Sequence, residues 1–225
     1  ARSLTENSYP FNKIIDPNSL QNLSNTDEDI NTSLVTLLQD SSTSESIILQ
    51  VSNILQTDER TIYNFISNLV QQVNKSSPEA RKIIEVLTTS TEFVESIIST
   101  ITDLEDSPQI EHKNIKKAIF NVISLLFPIS HKNIKNFYID SGICFLILNT
   151  LSEKLDEVGN ILSMPLAGSC LNLVYVLSCN SYYARDSILS LGIHDLMIQL
   201  IQSVNEILVN QGIPETTDFN PDTDL

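Results

Sequence analysis

The stretch Tyr138–Ser203 reads YIDSGICFLILNTLSEKLDEVGNILSMPLAGSCLNLVYVLSCNSYYARDSILSLGIHDLMIQLIQS. Ser141-Gly142-Ile143 opens one apolar run, Leu166 to Leu177 is a second, and Leu191-Gly192-Ile193 opens a third. The two glycines stand 50 residues apart in matching contexts. Spacing of this kind is the mark of a helical repeat, in which each unit buries its apolar face only by stacking on its neighbours.

Working outward, apolar residues recur at intervals of three and four, the period of a helix with one buried face. Ile47, Ile48, Val51, Ile54 and Leu55 mark one helix. Thr57 or Asp58 caps the next, which carries Ile62, Phe65, Ile66, Leu69, Val70 and Val73. Ser77-Pro78 is a start signal, because Ser accepts from a free N–H and Pro fits the first turn. Ile83, Ile84 and Leu87 follow it, and then Phe93, Val94, Ile97, Ile98 and Ile101. Ser107-Pro108 repeats the signal before Ile115, Ile119, Val122, Ile123 and Leu126, and Pro128 ends that helix. The last helix runs from Ile193 to about Val209. Toward the N-terminus, Thr26-Asp27-Glu28-Asp29 starts a helix with Leu34, Leu37 and Leu38. No period-2 strand signal is present, so the expected fold is all-α, with about ten helices.

The repeat extends beyond the glycines. Phe120-Asn121-Val122-Ile123 aligns with Leu171-Asn172-Leu173-Val174 at an offset of 51, and Ala80-Arg81 echoes Ala184-Arg185. Ser152 to Val158 reads as an insertion between helices. At these residues the chain resembles the armadillo-repeat superfamily, most clearly over 130–205. The resemblance implies a right-handed α–α superhelix of about four units, whose third helices line a groove for extended peptides. Family members that bind nuclear signals or cadherin tails use Trp and Asn side chains there. Here the corresponding places hold Leu171 with Tyr175 and Phe120 with Ser124, so those specificities are not implied. The expected organisation is a polar arm at 1–26, an armadillo-like repeat domain at 27–210 and an acidic tail at 211–225.

Composition narrows the function classes. The net charge is −15, a field that repels nucleic acid and anionic lipid. The longest apolar run, Ile143 to Leu148, is too short to insert in a membrane. Cys144, Cys170 and Cys179 lie within apolar runs as buried thiols, which fits a reducing cytoplasmic or nuclear setting. His112, His131 and His194 are scattered, with neither His nor Cys at ligand spacing. There is no Gly-Lys phosphate loop and no nucleophile elbow. The reading is therefore a non-enzymatic chain, with no catalytic residue, metal or cofactor.

One feature stands against the acidic background. His-Lys-Asn-Ile-Lys occurs twice, at His112–Lys116 and His131–Lys135. Lys113, Lys116, Lys117, Lys132 and Lys135 are five of nine lysines, whereas no Lys or Arg follows Arg185. The alternatives are a solvated face or a contact for an acidic protein surface, an acidic end of another copy included. The expected function is a protein-interaction scaffold, with Leu171 and Tyr175 as groove residues for an extended peptide. A structural or regulatory subunit of a cytoskeletal or other large assembly, such as a formin-like regulatory region, is the alternative. A nuclear-transport-type peptide adaptor is the third.

Overall fold

The computed structural model describes residues 43–74, 77–104, 109–156 and 164–210. The polar arm, the first expected helix, Ser107-Pro108 and the acidic tail lie outside these residues. Ten α-helices and one 3₁₀ turn make up the described chain, and no strand occurs among the described residues. They are α1 (Ser44–Leu55), α2 (Glu59–Asn74), α3 (Pro78–Thr89), α4 (Thr91–Asp103) and α5 (Ile110–Leu126). The 3₁₀ turn Phe127–Ile129 is followed by α6 (Lys132–Asp140), α7 (Ile143–Asp156), α8 (Met164–Asn180), α9 (Tyr182–Ser190) and α10 (Ile193–Asn210).

Short polar side chains set the helix boundaries. Thr57 and Asp58 divide one junction between them. The Thr57 hydroxyl donates to the Ile54 carbonyl at 2.6 Å and closes α1. Asp58 opens α2 by accepting from the Thr61 N–H at 3.0 Å and the Thr61 hydroxyl at 2.7 Å. Ser77 accepts from the Ala80 N–H, with Pro78 in the first turn. Ser90 ends α3 and caps α4, accepting from the Phe93 N–H at 3.0 Å, so these two helices meet at one residue. Asp58, Ser77 and Ser90 each supply an acceptor to an otherwise orphan N–H, and Thr57 supplies a donor to a carbonyl at a helix end. α5 starts at Ile110 behind Gln109, with no side-chain cap. α7 runs on to Asp156, through most of what the sequence presents as an insertion.

The expected equivalence of Gly142 and Gly192 is present in atomic detail. Their φ angles are +90° and +83°, a region costly for residues with a Cβ. Gly142 N–H donates to Ile139 O and Gly192 N–H to Leu189 O. Each glycine carbonyl then accepts from the residue four along, Leu146 or Leu196. The α6–α7 and α9–α10 corners are thus the same corner, built twice. Thr100 on α4 and Thr150 on α7 also match at 50 residues. Both are buried, and each donates its hydroxyl to the carbonyl four residues back.

The helices pack with a period of three. α1 packs on α4, α4 on α7 and α7 on α10. α2 packs on α5, α5 on α8, and α6 on α9. The row of first helices is also tied at α3 and α6, where His131 N–H donates to the Thr88 carbonyl at 3.3 Å. The core runs without a break along these rows, from Ile47 to Ile193. α5 and α8 sit at its centre, with Ile115, Ile119, Ile123, Leu166, Leu173 and Leu177 buried.

Candidate interaction surface

The sequence groups five lysines, and the fold separates them. Lys116 is 4% exposed and belongs to the interior of α5, which corrects its assignment to a surface cluster. Its long aliphatic stem suits such a site. Lys117 bridges to Glu59 on α2 at 2.6 Å, tying two third helices together. Lys113 is half-buried in the first turn of α5. Lys135 donates to the Pro128 carbonyl at 2.8 Å and lies 5.7 Å from the centre of the Phe127 ring. Burial there lowers its ammonium below the ordinary lysine value. Lys132 is exposed at the first residue of α6. The two pentapeptides also differ in setting: the first lies inside α5, whereas the second straddles the start of α6.

α2, α5 and α8 form a row. On the partly exposed side of α2 and α5, the Asn121 amide donates to the Tyr63 hydroxyl at 2.7 Å, beside the Lys117–Glu59 pair. Burial raises the Tyr63 phenol above its usual value; the Asn121 bond opposes this and the Glu59 charge adds to it. Asn172, the counterpart of Asn121 at offset 51, is likewise half-buried on α8. Asn121 and Asn172 thus hold equivalent outward places on successive third helices.

Phe120 and Ser124 do not stand at a groove. Both are buried, and the Ser124 hydroxyl donates to the Phe120 carbonyl within the helix. Their counterparts are Leu171, half-buried against the core, and Tyr175, 68% exposed. Tyr175 is therefore exposed as expected, but for a different reason. α5 packs between α2 and α8, while α8 has a third-helix neighbour on one side among the described residues. Lys116 obeys the same rule, since its counterpart Ala167 is only half-buried. The sequence signal for the outward pair was the alignment of Asn121 with Asn172 itself.

Two of the three cysteines are buried, and Cys179 is exposed on α8. Burial pushes the Cys144 thiol up to about 11, so it stays protonated and inert near neutrality. Tyr138 is buried edge-on against Phe127, with ring centres 5.9 Å apart, and burial raises its phenol far above the usual value. At the other end of the molecule a groove of about 750 Å³ runs between α1 and the α3–α4 corner. Leu49 is exposed on its wall, and the buried Ser52 hydroxyl beside it has no hydrogen-bond partner. Among the described residues, no three His, Cys, Asp or Glu side chains are grouped to hold a metal ion. Nor is any described helix long and apolar enough to cross a membrane.

No protein-family model matches the chain, and neither does any curated protein or solved structure.

Proposed function

We propose that this chain is a non-enzymatic protein-interaction scaffold of armadillo-like type, its three-helix units stacked in a right-handed superhelix. The observation behind this reading is the three-helix packing period, with the same glycine corner recurring at Gly142 and Gly192. Stacking of this kind lines up equivalent side chains one unit apart, and such surfaces serve extended partners. The receiving face is the outward side of α2, α5 and α8, where Asn121 and Asn172 offer amides that can pair with a peptide backbone. A reducing cytoplasmic or nuclear compartment suits the inert thiol of Cys144. A photo-crosslinking residue placed at Asn172 tests the reading in the native cell. It should capture a recurrent protein, and Asn121→Ala should weaken that capture. Equal capture from a control position at Lys82 on α3 would count against it.

A second reading, a structural or regulatory subunit of a larger assembly, is favoured by the exposed apolar side chains of α10. Ile198 and Ile201 stand in water there, as expected of surface completed only by a neighbour.

A further inference from the structure

α1, α4, α7 and α10 are the second helices of the row, and one register runs through them. Ile47, Ile97 and Ile147 stand 50 residues apart, and each is 1% exposed or less. Two places before these, α1 and α4 carry Glu45 and Glu95, both exposed. Asp195 is exposed at the same place on α10, three residues after Gly192. α7 departs from this pattern. Three residues after Gly142 it carries Phe145, which is 58% exposed. α7 packs between α4 and α10, so Phe145 does not stand at an end of the described row. The position itself faces water, because Glu95 on α4, packed between α1 and α7, is exposed as well.

The first helices depart from their pattern at the same corner. α3, α6 and α9 each open with two exposed residues and a buried third: Pro78-Glu79-Ala80, Lys132-Asn133-Ile134 and Tyr182-Tyr183-Ala184. A repeated bond fixes the register of α6 and α9, since Lys135 and Arg185 both donate to the carbonyl seven residues back, on Pro128 and Ser178. Of these three helices, α9 alone has aromatic rings in the exposed pair, 80% and 49% exposed. Tyr183 reaches the α6–α7 corner, where its hydroxyl donates to the Asp140 carboxylate at 2.6 Å. Asp140 and, to a lesser degree, the Cys144 thiol raise the Tyr183 phenol above its ordinary value, and Cys144 is the chain neighbour of Phe145. Exposed apolar side chains scattered singly need no explanation. Here two separate registers exchange polar for aromatic side chains at one corner.

We propose that this corner docks a basic segment of a partner protein, with an apolar residue of the segment on Phe145 and its Lys or Arg against Tyr183 and Asp140. Aromatic anchors are what interfaces select. Charge selects the partner. The second helices all carry acids and hold a single cation, Lys154, whereas the other six described helices hold nine Lys and Arg. Glu95 and Asp195 occupy the place of Phe145 on the two helices packed against α7. Asp186 is exposed one turn along α9 from Tyr183. Arg185, the cation of α9, is engaged by the Ser178 carbonyl at 2.9 Å and lies 5.1 Å from the Tyr182 ring. A guest cation over a tyrosine face and against a carboxylate gains from both, and the negative field of the chain steers it there. A second copy would bring acid against acid. The outward face at Asn121 and Asn172 belongs to the third helices, and nothing here depends on it.

The test uses the full chain and two short labelled peptides with a central Leu, one flanked by Lys and the other by Glu. The host variant is Phe145→Ser with Tyr183→Asn, which leaves the charge unchanged and gives α9 the residue that α6 has at Asn133. In fluorescence anisotropy the Lys-flanked peptide should bind the wild type about ten-fold tighter than it binds the variant. It should also outbind the Glu-flanked peptide, by a margin that shrinks in high salt. Leu49→Ser removes a side chain that is 63% exposed on α1, away from the corner, and should leave binding as it was. Phe145→Ser alone should melt at the wild-type temperature. No binding to the wild type, equal binding to wild type and variant, or an equal loss with Leu49→Ser overturns the proposal. So does a fall in melting temperature of more than about 5 °C for Phe145→Ser, which would mean that the chain itself covers Phe145. A wild-type dimer in sedimentation that the variant abolishes would assign the corner to a second copy and overturn it as well.

Discussion

Leu173→Ala tests the central helix and, through it, the stacking of units. Leu173 is fully buried on α8, and α8 is enclosed by α5, α7, α9 and the 3₁₀ turn. Removing the isobutyl group forfeits its transfer free energy and leaves a cavity whose cost depends on how far the walls relax. Leu→Ala substitutions cost about 2–5 kcal/mol, and a site walled by four elements relaxes little, which places this one at about 3–5 kcal/mol. With a urea slope of about 2 kcal/mol/M, the midpoint should fall by about 1.5–2.5 M. Tyr175→Ala, two residues along and exposed, should shift it by less than about 0.3 M. Equilibrium urea unfolding followed by circular dichroism reads both. A loss below about 1 kcal/mol for Leu173→Ala would mean that α8 is not clamped between neighbouring units.

Three further outcomes follow from particular residues. Gly142→Ala and Gly192→Ala place a Cβ in open space at positive φ, so only backbone strain of about 1–2 kcal/mol should appear at each, and the double variant should be additive in urea unfolding. Lys116→Glu should cost about 3 kcal/mol, because it puts an acid where a cation is buried; Lys132→Glu, at the exposed start of α6, should be neutral or stabilise by up to about 1 kcal/mol, as paired melts would show. The Asp58 carboxyl is held below its ordinary value, first by the Thr61 hydroxyl and then by the Thr61 N–H. Its contribution is therefore present above about pH 4 and lost as pH falls through the lowered folded-state value. Glu79, through Ser77, and Glu92, through its own N–H and Ser90, add in the same direction. Stability should drop on acidification below about pH 4, and Asp58→Asn should flatten that drop in a pH series of urea titrations.

The exposed Tyr175 and the buried Lys116 follow from the same packing rule. With packing at a period of three, a helix has one face against its neighbours in sequence and another against the helix three along. Side chains on the second face are buried or exposed according to where the helix stands among the described ones. Lys116 and Ala167 are equivalent, yet the polar one is inside and the apolar one is partly outside. The polarity of the side chain therefore does not decide burial at this pair of positions. For the same reason a charge count along the chain gave no guide to the lysines. Lys117 and Lys135 are engaged by Glu59 and by the Pro128 carbonyl, groups distant or differently oriented in sequence.

Local sequence chemistry determined the elements of this protein. Ser77-Pro78 and Asp58 set helix starts because their side-chain oxygens reach free N–H groups within one turn. Gly142 and Gly192 set two corners because only glycine takes φ near +85° without strain. The three- and four-residue apolar intervals set which face of each helix turns inward. These interactions span at most a few residues, so they are legible without the fold. The α3–α4 corner at Ser90 belongs to this class as well, since its cap bond reaches only Phe93. What only the tertiary structure decided is which helix covers which. That choice joined Tyr63 to Asn121 across 58 residues and Tyr183 to Asp140 across 43. It buried Lys116, Phe120 and Ser124 on α5, and it left Tyr175 on α8 and Ile198 and Ile201 on α10 exposed. A helical period specifies an apolar face but not its partner, because the hydrophobic effect has no direction and any complementary face will satisfy it.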